Sequence, residues 1–419
     1  MNRTIKKYFA AGIVSGVLVL VVTKALQLGL KLIVARLGVE EFGSYYYFIS
    51  LYTSFVAIAS LGIPMSITRF LAYYGGKKQE QMRSYIIQSA MILMGIIAVV
   101  LTGSLMLCVQ RFAGYLAAAA YTTSLWLLVC SIPFSFLIVS IKAGLLGQLQ
   151  IKKSYFIDGL TALITFSCIS VGLFVFHAGV AGALYAYALS ILITAVISVY
   201  LFRSYIPFSS FSFRISKEFV HYTWPVSVSE IMTASSTILY VTILKYYGGD
   251  NEVGLYGLAV TIASLVNIFP QIILPVFFPV ISTLFSQGVS IREVYKKTVL
   301  LLIITSLVSA VVLLLGSRLG TSLFFGSSYF AALPMVPYFI AAYMIYILFV
   351  WYNRQLLDMA GLTKINLLLT GIRIIITTLV LFLSVPAISG MHMAIAFGIG
   401  WLIEGLLCLS LIRQKRLLI

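Results

Sequence analysis

Lys24, Gln27 and Lys31 stand at i, i+3 and i+7 within a long apolar run, a spacing that aligns them along one face of an α-helix. Two ammonium groups and an amide on one stripe can bind an anion such as a pyrophosphate or an acidic sugar. A lysine at the middle of a bilayer costs about 2.5–3.5 kcal/mol on insertion scales. Two arrangements meet that cost. Either the stripe lines a water-filled cavity, or Lys24 pairs with Glu230 while Lys31 snorkels to the outer interface.

Arg373 is the one charge on a second stripe, Asn366, Thr370, Arg373 and Thr377. Its planar fork suits bidentate phosphate recognition, and its place near a helix end equally suits snorkelling. Arg69 lies still closer to such an end and fits either headgroup contact or substrate contact. Glu230, beside Ser227 and Thr237 at helical spacing, is read as a partner of Lys24 or as a site that takes up a proton or sodium ion. Asp158, with Thr161, Thr165 and Cys168 below it, is a second ion-coupling candidate. It and Glu404 also read as interfacial or structural acids.

Thr261, Ser264, Asn267 and Gln271 recur every three or four residues beside Pro270, Pro275 and Pro279. Such uncharged groups bind sugar hydroxyls or hold helices together, and the prolines serve as hinges or plain kinks. Tyr45 to Phe48, Tyr343, Tyr346, Trp351 and Tyr352 could stack on sugar rings, although membrane-interface anchoring is their ordinary use. His177, His221 and His392 are isolated, so no metal site is expected. Cys108, Cys130, Cys168 and Cys408 lack pairing or ligand spacing and read as packing residues. No Gly-rich phosphate loop occurs, which argues against ATP hydrolysis. No cofactor is expected beyond a coupling ion.

These residues need a membrane scaffold. Of 419 residues, 61% are hydrophobic and 9% charged, too little polar surface for a water-soluble core. Backbone groups in lipid must be satisfied internally, and long unbroken apolar runs do this as helices. The sequence predicts an all-α polytopic fold with twelve spans, 9–35, 43–73, 84–110, 117–141, 154–176, 179–202, 219–246, 252–285, 294–316, 333–356, 365–385 and 390–412. The first run follows Arg3, Lys6 and Lys7, but Lys24 and Lys31 interrupt it and no small-residue cleavage site closes it, so it is read as mature structure.

The net charge of +17 arises from 28 Lys and Arg against 11 Asp and Glu. Twenty of the cations fall in alternate connections and at both termini, four in the other connections and four within spans. That is the positive-inside pattern rather than a nucleic-acid surface, and it places both termini in the cytoplasm. The polar stretch between the sixth and seventh spans divides the chain into 1–202, a cytoplasmic linker 203–218, and 219–419. A repeat supports the division. EFGSYY at Glu41 to Tyr46 matches EVGLYG at Glu252 to Gly257, and this offset of 211 residues also relates Pro64 to Pro275. Duplicated halves are common in transporters.

Residues 35–72, ARLGVEEFGSYYYFISLYTSFVAIASLGIPMSITRFLA, resemble the amino-terminal signature of the polysaccharide transport family. The features that carry the likeness are a small-residue turn, a Glu-Phe-Gly step, an aromatic helix, a Leu-Gly pattern and Arg69 near the cytoplasmic end. Size and helix number extend the resemblance to O-antigen flippases. It implies two six-helix lobes around a central cavity, in the superfamily of multidrug, oligosaccharidyl-lipid and polysaccharide (MOP) exporters. It also implies alternating access in a bacterial inner membrane and an undecaprenyl-pyrophosphate-linked substrate. Polymerase and chain-length machinery are the implied partners. Twelve spans, against the usual fourteen of lipid II flippases, favour an O-unit or capsule unit.

Two other classes compete. A cation-coupled drug or solute exporter of the same superfamily would use acids in its first lobe, where this chain has Lys24 and Lys31. A glycan polymerase or glycosyltransferase would carry a sizeable outward loop with catalytic residues. The longest outward connection, Arg318 to Leu333, holds no acid, so an enzyme is not expected.

Overall fold

The computed structural model describes residues 3–115, 121–203, 217–286, 292–385 and 387–414, and every regular element in them is helical. The first half comprises α1 (Arg3–Ala35), α2 (Val39–Ser60), α3 (Ile63–Gly76), α4 (Glu80–Tyr115), α5 (Thr122–Gly147), α6 (Ile151–Phe174) and α7 (Gly179–Phe202). The second comprises α8 (Lys217–Ala263), α9 (Ile268–Ser286), α10 (Arg292–Phe324), α11 (Val336–Ile345), α12 (Tyr352–Met359), α13 (Thr363–Phe382) and α14 (Gly390–Gln414). Residues 204–216 of the expected linker lie outside the described residues.

Ten helical stretches are long and apolar enough to cross a membrane, and α2 with α3 makes an eleventh span bent by 47°. The bend is local chemistry. Leu61 and Gly62 both adopt left-handed backbone, φ 47° and 60°, which ends α2, and Pro64 in the first turn of α3 restarts the helix. The twelfth span is hidden in the continuous stretch Lys217–Leu274, 58 residues long. As one helix it would reach about 87 Å, nearly three times the ~30 Å hydrocarbon core. It folds back at Gly249, whose φ of 69° and ψ of −173° are not helical.

The eighth span is interrupted again by a 3-10 turn at Ser264–Asn267 before α9 begins. Pro270 explains the position, because its ring clashes with the carbonyl four residues earlier and it has no N–H to donate. In the tenth span a π-helical segment, Tyr346–Trp351, joins α11 to α12. The membrane-length spans thus number twelve among the described residues.

Helices α5, α6 and α7 pack on one another and α1 packs on α6, while α13 binds α8 and α14 in the second half. The halves meet chiefly where α2 crosses α8 and where α1 and α3 meet α9. At the α2–α8 crossing a Cβ on Gly43 would run into the Asp250 carbonyl oxygen, and one on Gly254 would run into that of Val39. Gly43 and Gly254 are separated by the repeat offset of 211 residues, and so are Val39 and Asp250. The contact is reciprocal, as a local two-fold axis demands. Small residues here let two backbones touch, the usual basis of tight helix association in lipid.

Candidate functional site

The polar stripe of α1 opens into a chamber of about 330 Å³ walled by α1, α2, α6 and α7. Gln27 and Lys31 face it from α1, Ser50 and Thr53 from α2, and Thr161 and Thr165 from α6. Among the described residues its wall holds no Asp or Glu. Tyr45, Tyr46 and Tyr187 supply the aromatic remainder. Lys31 also marks the boundary with the second lobe. Its Nζ donates to Thr261 Oγ1 at 2.8 Å and lies 5.8 Å from the centre of the Tyr46 ring. Thr261 in turn donates to the Gly257 carbonyl at 2.6 Å, and Gly257 is pressed against the ring of Tyr46. The chamber therefore abuts the seam between the lobes.

Lys24 lies two turns before Lys31. Close packing of α1 on α6, with Val19 against Gly159 and Gly29 against Phe166, sets Lys24 within electrostatic reach of Asp158. Asp158 is itself bridged to Lys142 of α5. Lys24 and Glu230 form no bridge. Glu230 instead sits against the α2–α3 bend, its side chain beside Gly62, within electrostatic reach of Arg354 and Asp358. Ser227, one turn earlier, donates to the Leu61 carbonyl.

Arg69 stacks on Tyr222 of α8, its guanidinium 4.1 Å from the ring centre, and approaches the turn at Gly361. It thus bridges the lobes at the end opposite the Gly43–Gly254 crossing. Thr223 donating to Ser66 at 2.9 Å and Tyr74 donating to Glu218 at 3.2 Å reinforce that end.

The second lobe uses its charges differently. Glu404 of α14 is fully buried, with Arg373 Nε 3.1 Å from one carboxylate oxygen and Arg354 Nη1 3.6 Å from the other. Arg354 donates to Ser229 at 2.9 Å, Arg373 donates to Thr233 at 3.0 Å, and Ser229 shares a 2.8 Å bond with Thr370. Arg373 is 11% exposed. It is a member of a buried network linking α8, α12, α13 and α14. Asn267 is likewise buried, in the 3-10 turn that packs on α10 and α11.

A family described as polysaccharide biosynthesis protein matches residues 9–285, well over half of the chain. The chain belongs to that family. Membership places it in the MOP superfamily. The fold is shared with a MATE transporter in the straight conformation, at TM-score 0.78 and 17% identity over 98% of this chain and 96% of that one. An outward-facing multidrug resistance MATE family transporter superposes at TM-score 0.75 and 15% identity over 99% and 98%. A MOP superfamily transporter from Pyrococcus furiosus, described as having a binding pocket of reverse polarity that suggests a different function, superposes at 0.79 and 16% identity over 99% and 98%. These likenesses establish the fold, with the lobes of six helices that it entails. None of the curated proteins matches in sequence.

In this polysaccharide biosynthesis family member several important residues escaped the sequence reading. Arg354, at the end of the tenth apolar run, is half-buried against Glu404. Its spacing from Asn366 and Arg373 across a turn carries no helical periodicity, so only an Arg and a Glu far apart inside apolar runs hinted at pairing. Thr261 was seen as part of a stripe, but its partner Lys31 is 230 residues away. Tyr346 stacks on Trp351, and Tyr343 and Tyr346 both pack at a tilt on Trp401 within the second lobe.

Proposed function

We propose that this protein is a flippase that moves an undecaprenyl-pyrophosphate-linked oligosaccharide repeat unit from the cytoplasmic to the periplasmic leaflet of a bacterial inner membrane. Both termini would face the cytoplasm. The observation that supports this reading best is the first-lobe chamber, which pairs a lysine and amide with hydroxyl groups and has no carboxylate on its wall. A pyrophosphate would meet Lys31 and Gln27, with Lys24 two turns away. The hydroxyls of Ser50, Thr53, Thr161 and Thr165 would meet sugar hydroxyls. Arg69, at the lobe seam near the cytoplasmic end, would contact the arriving headgroup.

Arg373 and Asn267 have a supporting part in this scheme, ordering the second lobe around Glu404 and the 3-10 turn. Glu230 is the proposed coupling acid, taking up a proton or sodium ion beside the α2–α3 bend, with Asp158 as the lesser candidate because Lys142 already neutralises it. Alternating access would follow from exchanging contacts at the two ends of the lobe seam. The flipped unit would pass to a polymerase and chain-length machinery.

The test uses purified protein in liposomes carrying a fluorescent lipid-linked oligosaccharide, with a membrane-impermeant quencher reporting the flipped fraction. Charge-assisted hydrogen bonds contribute about 1.5–3 kcal/mol, so Lys31→Ala should slow flipping roughly 10- to 150-fold. Unaltered flipping by a Lys24→Ala, Lys31→Ala double variant would overturn the role of the chamber. Efflux of organic cations without lipid flipping would favour the exporter reading, which rests on the shared MATE fold.

A further inference from the structure

A cavity of about 280 Å³ lies on the lobe seam and shares no wall residue with the polar chamber. Pro64, Met65 and Thr68 of α3 and Val139 and Lys142 of α5 line it from the first lobe, and Gln355 of α12 lines it from the second. Thr68 adjoins Arg69, so the cavity belongs to the end of the seam opposite the Gly43–Gly254 crossing. Among the described residues its wall carries one charge, the Lys142 ammonium, and Asp158 already bridges that group. Both side chains of the bridge stay more than a quarter exposed, at 29% and 28%, so the pair keeps spare donors and lone pairs. Thr68 donates to the carbonyls of Pro64 at 3.0 Å and Ala143 at 3.2 Å, which commits its proton and leaves its oxygen able to accept. Gln355 Oε1 is buried and has no hydrogen-bond partner among the described residues. Native proteins rarely keep such an atom unless something else satisfies it.

We propose that this cavity is a carbohydrate site that takes one uncharged sugar ring of the glycan. The inference rests on the flippase reading above. An anion would meet two acceptors, Gln355 Oε1 and Thr68 Oγ1, and an ammonium that already holds a carboxylate. An apolar guest would leave the amide oxygen and the spare ammonium donors without partners, which is costly away from water. Sugar hydroxyls both donate and accept. They can donate to Gln355 and Thr68 and accept from Lys142, while the C–H face of the ring packs on Pro64, Met65 and Val139. The volume lies just under the ~300–1,000 Å³ of small-molecule sites, which suits a single ring. Lys142 and Gln355 stand on different lobes, so parting of the lobes at this end divides the site and releases the ring.

The test uses the full chain in lipid nanodiscs and the oligosaccharide of the repeat unit, freed from its pyrophosphate and lipid and carrying a photoreactive diazirine. Crosslinks are expected on the segments holding Met65, Val139 and Gln355, and excess inorganic pyrophosphate should leave them in place. Gln355→Leu removes the acceptor at nearly constant size and should weaken binding about 2- to 12-fold, the equivalent of one neutral hydrogen bond. Met65→Trp, which fills the cavity, should abolish these crosslinks, whereas Val196→Trp, on the exposed face of α7, should not. If Met65→Trp does not fold, the crosslink map of the unaltered protein decides. Crosslinks that are absent, confined to the chamber walls, displaced by pyrophosphate or undiminished by Gln355→Leu overturn this inference alone. Failure of the unaltered protein to flip the lipid-linked oligosaccharide in liposomes overturns the flippase reading beneath it.

Discussion

The two lobes each place cations on polar helical stripes, yet they use them in opposite ways. In the first lobe Lys31 meets a chamber wall with no acid and touches the partner lobe through a neutral hydroxyl. In the second, Arg354 and Arg373 close on one fully buried carboxylate, Glu404, and on the hydroxyls of Ser229 and Thr233. A cation without an acid keeps an unmet demand for an anion. One sealed against a buried acid has that demand answered inside the protein and becomes part of the scaffold. Chemistry and scaffold are therefore distinguished by partners, not by the cation itself.

The comparison breaks most visibly at Glu404. Glu404→Ala leaves two half-buried guanidinium groups without their shared, fully buried carboxylate and should destabilise the protein by about 3–5 kcal/mol, read as a fall in thermal stability in detergent. Lys31→Ala should change that stability by no more than ~1 kcal/mol; equal losses from both would erase the distinction between the lobes. A smaller effect is expected at the lobe seam. Gly43→Ala forces a methyl group onto the Asp250 carbonyl and should cost about 1–3 kcal/mol as overpacking. It should also abolish crosslinking between cysteines placed on α2 and α8. Gly95→Ala, whose Cβ meets open space, should do neither. The smallest change is Thr261→Val, which removes the acceptor of Lys31 and, like Lys31→Ala, should cost no more than ~1 kcal/mol in the same thermal measurement. A larger loss would make the Lys31–Thr261 contact a scaffold element after all.

The repeat sharpens the comparison further. Sequence matches around Gly43 and Gly254 survive where the two copies pack on each other, because any side chain there would hold the backbones apart. Elsewhere the copies have diverged. Lys31 corresponds at the 211-residue offset to Thr242, which bonds Tyr47 at 3.2 Å and carries no charge. Symmetry persists at the contact and is lost at the chamber.

Much of the architecture was legible in the residues. The spans at 179–202 and 390–412 nearly coincide with α7 and α14, since a run of apolar residues with polar ends is enough to define a membrane helix. The second span was drawn unbroken over 43–73, although left-handed backbone at Leu61 and Gly62 bends it. A Leu-Gly-Ile-Pro step is compatible with either course, and only packing of Val226 and Glu230 against Gly62 distinguishes them. Among the candidate residues, the α1 stripe was visible because helical spacing alone brings Gln27 and Lys31 to one face. The burial of Arg373 was not, because the stripe Asn366, Thr370, Arg373 and Thr377 looks the same whether it faces water or α14.

The sequence by itself determined a membrane-spanning all-α chain, its twelve apolar runs and the 211-residue offset that relates Gly43 to Gly254, because length, hydropathy and repeat offset are properties of the chain read along one dimension. The tertiary structure decided which cations are answered and which remain open, because that depends on distance between groups remote in the chain. Lys31 meets Thr261 across 230 residues, and electrostatic energy falls with separation in space without regard to separation in sequence.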